Sequence, residues 1–182
     1  MPLRLTIEMK CRIIEIKARC PDIDRVRQLL IANDAVLKGT DHQIDTYFRV
    51  IDGRLKCREG NIESGLIFYN RKDQLGPKLS DVEMFRSSNL AELKQILIRS
   101  IGVKVIVDKK REIYFIKNVK IHLDDVRGLG TFVEIEAIDE TGLIQTKELE
   151  RQCWQTIRLL NIENMERLEC SYSDMLLKKE NA

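Results

Sequence analysis

Ile14-Glu15-Ile16-Lys17-Ala18-Arg19 places apolar side chains at the even positions and ionisable ones at 15, 17 and 19. A period of two is the mark of a strand with two unlike faces, one apolar and one charged. The same alternation returns three times. Arg54, Lys56 and Arg58 oppose Leu55 and Cys57; His122 and Asp124 oppose Ile121 and Leu123; Phe132, Glu134 and Glu136 oppose Val133 and Ile135. If the apolar faces pack on helices, the charged faces line either open solvent or the inside of a closed sheet. Closure would give a channel suited to a polyanion and a metal.

A half-wet antiparallel sheet accounts for any one of these strands. It accounts less well for the set, because solvated faces usually mix signs. Here Arg54, Lys56 and Arg58 are uniformly basic, and Glu134 and Glu136 uniformly acidic. Like charges two positions apart repel, and a ligand of opposite sign between them offsets that repulsion. Together the polar faces offer Lys17, Arg19, Arg54, Lys56, Arg58, Arg71, Lys109 and Arg111 as cations and Glu15, Asp124, Glu134 and Glu136 as acids. The chemistry that uses both is phosphoryl or nucleotidyl transfer. Carboxylates hold a hard divalent cation, Mg²⁺ or Mn²⁺, and Lys and Arg hold the phosphate oxygens.

The chain has 182 residues, 43% hydrophobic and 33% charged, which fits one globular domain over residues 1–182, with residues 1–11 either adding to the first strand or forming an N-terminal extension. A net charge of +2 from 31 basic and 29 acidic residues means that any electropositive site arises from local segregation. Duplex nucleic acid is therefore not an expected partner. Five cysteines with no CxxC pair argue against a disulfide framework or a zinc site. Without an apolar run of membrane-spanning length or a signal core, the expectation is a cytoplasmic protein with no membrane partner.

Pro21-Asp22 opens a helix of about four turns with Val26, Leu29, Leu30 and Val36 on one side. Strands follow at residues 44–50, 54–58 and 66–72, separated by turn chemistry at Asp52-Gly53 and at residues 59–65. A weaker strand at 78–86 precedes a helix capped by Asn89 and ended by Gly102. Strands at 103–116, 119–126 and 131–137 come next, then an amphipathic helix at 146–161 and a short one near 174–179. Short connections favour antiparallel pairing. The expected class is α+β, an eight-stranded antiparallel β-barrel with flanking helices.

Across residues 13–170 the chain resembles the triphosphate tunnel metalloenzymes, the CYTH superfamily, which includes class IV adenylyl cyclases and thiamine triphosphatases. The resemblance rests on Ile13-x-Glu15-x-Lys17, where the family has ExExK, on Asp45-Thr46-Tyr47-Phe48, on Arg54-Leu55-Lys56-Cys57-Arg58-Glu59, on Lys109-x-Arg111, and above all on Leu123-Asp124-x-Val126-x-Gly128-Leu129-Gly130-x-Phe132-x-Glu134-x-Glu136. It implies a tunnel, dependence on Mg²⁺ or Mn²⁺, and a triphosphate substrate such as ATP, thiamine triphosphate or tripolyphosphate. Glu15, Glu134 and Glu136 then resemble metal ligands, with Asp124 as another ligand or an acid behind them. Lys17, Arg19, Arg54, Lys56, Arg58, Arg71, Lys109 and Arg111 resemble substrate ligands. Lys17, Tyr47 and His122 are the catalytic candidates, with packing as the alternative for Tyr47 and an orienting role as the alternative for His122. A homodimer is left open.

One departure matters. Ile13 stands where the motif has its first glutamate, which removes a carboxylate that would bind metal or position water. The leading expectation is a metal-dependent triphosphatase. The alternatives are a class IV adenylyl cyclase, whose attacking oxygen belongs to the substrate, and a non-catalytic polyphosphate- or nucleotide-binding module.

Overall fold

The computed structural model describes residues 9–71 and 74–180. Eight strands, β1 (Met9–Arg19), β2 (Val36–Phe48), β3 (Arg54–Glu59), β4 (Gly65–Arg71), β5 (Lys78–Phe85), β6 (Val103–Ile116), β7 (Val119–Val126) and β8 (Gly130–Asp139), close into a barrel in the order β1-β5-β4-β3-β2-β6-β7-β8. Every pairing is antiparallel. Closure leaves no sheet edge and fixes an inside and an outside for each strand.

The parity read from the sequence decides which is which. Ile14, Ile16 and Ala18 of β1 point outward, joined by Ile121 and Leu123 of β7 and by Val133, Ile135 and Ala137 of β8. Two helices cover this face: α1 (Ile23–Ala32) through Val26 and Leu30, and α3 (Thr146–Leu159) through Leu149, Cys153 and Ile157. Burying each large apolar side chain contributes about 1.5–3 kcal/mol, so this interface is the main core. On the opposite side α2 (Leu90–Ile101) rests on Phe48, Cys57, Leu55 and Leu66 through Leu90, Leu97 and Ile98. A last helix, α4 (Tyr172–Glu180), packs against one end of the barrel. Among the described residues no helix is long and apolar enough to cross a membrane.

Three local expectations are corrected. The first helix ends at Ala32 instead of reaching Val36, because Asp34 takes a left-handed backbone, φ 55°, and turns the chain out of the helix. Val36 instead starts β2 opposite Phe115, so β2 begins eight residues before the expected position 44. Asn89 occupies the N-cap position of α2 but makes no side-chain capping bond. Met9–Cys11, left open between an addition to the first strand and an extension, lie in β1, whereas residues 1–8, and position 72 of the expected strand 66–72, lie outside the described residues.

Leu149 is fully buried at the centre of the α3 interface. Leu149→Ala is expected to lower the unfolding free energy by about 2–5 kcal/mol with an unchanged urea m-value. A loss below about 1 kcal/mol would mean that α3 is dispensable to the core.

Candidate functional site

The charged faces converge on one cavity of about 440 Å³ inside the barrel. Its lining holds nine lysines and arginines against six carboxylates, so the lumen is cationic although the chain as a whole is nearly neutral. Of the residues singled out from the sequence, Glu15, Lys17, Tyr47, Lys56, Arg58, Arg71, Lys109, Arg111, His122, Glu134 and Glu136 all line this space. Ile13 lines it too, on the same face as Glu15 and Lys17.

Two carboxylates organise the cations. Asp45, on β2, accepts hydrogen bonds from Lys56 at 3.0 Å, from Arg58 at 2.8 and 2.9 Å, and from Lys109 at 2.7 Å. Register builds this cluster, because Asp45 pairs directly with Arg58 of β3. Burial by itself would raise the Asp45 carboxyl, but Arg58, Lys109 and Lys56 hold it well below the usual range. Glu134, on β8, lies opposite Lys17 of β1 and His122 of β7. It pairs with the Lys17 ammonium at 2.7 Å and accepts from Arg111 at 2.7 Å. Its carboxyl is likewise held low, by Lys17, His122 and Arg111 against the effect of burial.

His122 is buried, and burial followed by repulsion from Arg111 lowers its pKa, leaving a neutral imidazole at pH 7. Its Nδ1 sits 3.3 Å from Glu134 Oε2 and 3.7 Å from Glu136 Oε1. Nε2 is buried with no partner. His122, Glu134 and Glu136 each offer one ligand atom within 4.8 Å of the others, a donor set that fits a divalent cation. Glu15 stands opposite Glu136 on the next strand and is paired with Arg71.

Three expected residues do not line the cavity. Arg19 ends β1 and donates to Glu166 at 3.2 Å and to the Leu129 carbonyl at 3.1 Å. Arg54 opens β3 and donates to Asp174 of α4 at 2.9 Å. Asp124 is sealed behind the first layer, accepting both ends of the Arg111 guanidinium at 2.6 Å and the Tyr172 hydroxyl at 2.7 Å. These bonds orient Arg111 toward the lumen, where the same Nη2 also bonds Glu134, and leave Asp124 outside the His122, Glu134 and Glu136 group. Tyr47 reaches the lumen, and its hydroxyl lies 3.4 Å from that of Tyr69.

Four further lumen residues were not singled out from the sequence. Asp45 and Lys120 do continue alternations visible there, Asp45 with Tyr47 and Lys120 with His122. Glu63 comes from the β3–β4 loop, where no periodicity exists, and bridges Arg58 and Lys120. The loop is pinned because buried Asp41 accepts the backbone N–H groups of Asn61, Ile62 and Glu63. Gly60 allows that approach, since a Cβ there would fall 2.5 Å from the Glu63 carbonyl and 2.7 Å from Asp41. Tyr172 arrives from α4, with Lys17 Nζ 3.9 Å from the centre of its ring.

Comparison with known proteins agrees with this geometry. The CYTH domain model matches residues 12–172. The chain belongs to the CYTH domain family. A Methanocaldococcus jannaschii protein named "Putative adenylate cyclase MJ0240" is 29% identical over 181 residues, covering 89% of this chain and 97% of that protein. Among solved structures, the PH1012 protein of Pyrococcus horikoshii superposes with a TM-score of 0.77 at 23% identity, over 89% of this chain and 98% of its own. A Vibrio parahaemolyticus protein titled "putative adenylate cyclase" gives 0.71 at 19% identity, over 91% and 97%. These two structural likenesses concern the barrel itself.

Lys109 supplies a titration that can be followed. Burial, then the neighbouring cations Arg58, Arg111 and Lys56, push its ammonium down to about 7 against the pull of Asp45. A polyanion in the lumen favours the charged form, so binding of tripolyphosphate at pH 8 should draw a proton onto Lys109. Calorimetry in buffers of different ionisation enthalpy should therefore show more proton uptake for the native chain than for Lys109→Arg, whose guanidinium stays charged. Equal uptake by the two would place Lys109 outside the anion's reach.

Proposed function

We propose that this chain is a divalent-metal-dependent enzyme that acts on a triphosphate inside its barrel. The observation that carries this reading is the enclosure of a cationic lining and the His122, Glu134 and Glu136 group in one cavity. Lys56, Arg58, Lys109 and Arg111 are proposed to hold phosphate oxygens. Each keeps donors to spare after pairing with Asp45, Asp124 or Glu134. Lys17, bridging Tyr172 and Glu134, is proposed to stabilise charge on the transferring phosphoryl group.

Glu134 and Glu136, with His122 as nitrogen donor, are proposed to hold Mg²⁺ or Mn²⁺, with Glu15 beside them. When bound, such an ion neutralises phosphate charge and polarises the oxygen it touches. An imidazole in the set suits Mn²⁺ better than Mg²⁺. With Nδ1 given to the ion, the neutral ring carries its proton on Nε2, which is buried without a partner and is proposed to donate to a substrate oxygen. Asp124 positions Arg111 and Tyr172, and Arg54 and Arg19 fasten the barrel end.

Hydrolysis is the leading reaction, because it asks only for a water beside these groups. Cyclisation of ATP to cyclic AMP and pyrophosphate is the second reading, favoured by the names of two relatives and by Ile13 in place of a water-positioning carboxylate. An assay of the purified chain for phosphate, pyrophosphate and cyclic AMP, across ATP, thiamine triphosphate and tripolyphosphate with Mg²⁺ or Mn²⁺, separates the two. Absence of every product while the ligands still bind would leave a binding module.

Arg58→Ala should weaken tripolyphosphate by about ten- to a hundredfold, since a lost charge-assisted hydrogen bond is worth about 1.5–3 kcal/mol. Inorganic phosphate, which engages fewer of the cations, should lose less. Equal losses for both ligands would remove Arg58 from the phosphate path. Glu136→Gln should lower metal-dependent turnover by at least about a hundredfold with the fold intact by circular dichroism, as expected when a metal ligand is lost. Turnover and metal requirement like those of the native chain would count against metal ligation there.

A further inference from the structure

The lumen has two unlike walls. The charged groups occupy β2, β3, β6, β7, β8 and the Glu15–Lys17 end of β1, with Arg71 at the end of β4 and Arg86 just past β5 at the margins of the remaining wall. The remainder of β1, with β5 and β4, carries Cys11, Ile13, Val82, Met84 and Ile67, and these form a continuous surface. Register joins them, with Cys11 opposite Val82, Ile13 opposite Ser80, and Met84 opposite Ile67. Ile138 borders the same surface, opposite Ile13 on β8. The Cys11 thiol, raised to about 11 chiefly by burial, is uncharged and belongs with the apolar set.

A triphosphate chain has nothing to set against this surface. Ser80, between Ile13 and Arg71 in the register, lines the same cavity with its hydroxyl buried and without a partner. An orphaned hydroxyl at the edge of an apolar wall calls for a ligand atom. The space is adequate, since 440 Å³ lies within the range of about 300–1,000 Å³ of pockets that enclose organic ligands.

We infer that the β1–β5–β4 wall seats the non-phosphate part of the substrate, and that this part is a flat heterocyclic ring carried by an organic triphosphate, its face against the apolar side chains and one of its polar atoms bonded to Ser80. The inference rests on the triphosphate reading above. It also gives Ile13 a role, in which the side chain replacing the first motif carboxylate contacts the ring. No Asn or Gln lies among the described lining residues, so the ring is selected by burial and shape more than by a pattern of hydrogen bonds.

Calorimetric titration of the full chain with tripolyphosphate, ATP and thiamine triphosphate, in EDTA and again with Mg²⁺, tests this. Tripolyphosphate has one more ionisable oxygen than either organic probe, so binding by charge alone ranks it first. The expected result is the reverse, with at least one ring-bearing probe binding about tenfold tighter, a difference of about 1.4 kcal/mol. The double variant Ile13→Ser/Met84→Ser should lose that advantage and leave tripolyphosphate unchanged. Val82→Thr, close in shape and less prone to unfold, should show a smaller loss of the same kind, and Ser80→Ala should weaken only the ring-bearing probe. Tripolyphosphate binding as tightly as both organic probes, with the variants shifting all ligands alike, would overturn the inference and leave the triphosphate reading standing. Failure of the native chain to bind any of the three would overturn that reading, and this inference with it.

Discussion

Everything in this barrel depends on the pairing of buried cations with two buried carboxylates. Taking a Lys or Arg out of water costs several kcal/mol even after relaxation. The lumen nevertheless encloses Lys56, Arg58 and Lys109 around Asp45, and Lys17 and Arg111 around Glu134. At about 3 Å and an effective dielectric near 20, each contact returns about 5 kcal/mol of attraction, comparable with the desolvation it offsets. The clusters thus hold cations in place without demanding much of the fold. Because Asp45 and Glu134 both have depressed pKa values, their contribution to stability is present above the ordinary carboxylate pKa and is lost as pH falls through the folded values. His122 acts in the same sense. Its folded pKa is lowered, so the unfolded chain binds its proton first and stability falls as pH drops below about 6.5.

Closure at one end follows from the same need to satisfy buried polar groups. Tyr172 donates to Asp124 and lies under Lys17, while Asp174 accepts from Arg54 and Lys179 donates to the Gly128 carbonyl. Lys78, buried in β5, donates to the Leu168 and Glu169 carbonyls just before α4. The C-terminal segment is therefore bound to the barrel by these polar contacts together with the apolar packing of Leu168, Tyr172, Met175 and Leu176 on Val126 and Phe132. This arrangement keeps Asp124 and the back of Arg111 dry, which strengthens the bidentate pair and fixes the guanidinium's direction.

The barrel was legible because its parity is strict. Ile14 and Ile16 against Glu15 and Lys17, or Val133 and Ile135 against Glu134 and Glu136, assign inside and outside before any pairing is known, and the pairing then brings Lys17 opposite Glu134. The strand reading failed where the pattern lapses, as in the first half of β2, where Lys38-Gly39-Thr40 carries no apolar alternation and a bulge shifts the register. At the site, the period showed which strand positions are polar but not which of them belong to the barrel's ends. Arg19 and Arg54 share their neighbours' parity, yet they stand at the end of β1 and the start of β3, where the lumen gives way to α4 and the loops. Glu63 and Tyr172 lie on a loop and on the terminal helix, and only tertiary structure brings them to the cavity.

On the proposed reading, the two walls of the lumen divide recognition between them. Charge is a poor discriminator, since any polyanion small enough to enter gains from Lys56, Arg58, Lys109 and Arg111, and salt weakens the attraction for all alike. Apolar contact discriminates by size and shape, at about 25 cal/mol for each Å² removed from water. A carboxylate at position 13 would interrupt the surface shared by Cys11, Val82, Met84 and Ile67 and would place a fourth acid beside Glu15, Glu134 and Glu136. With isoleucine there, the surface is continuous, and Glu134 and Glu136 group with His122 while Glu15 pairs with Arg71. One substitution on the lumen face of β1 thus changes the charge available to an ion and the area available to an organic group together. The two properties are tied, because both depend on the same few ångströms of tunnel wall.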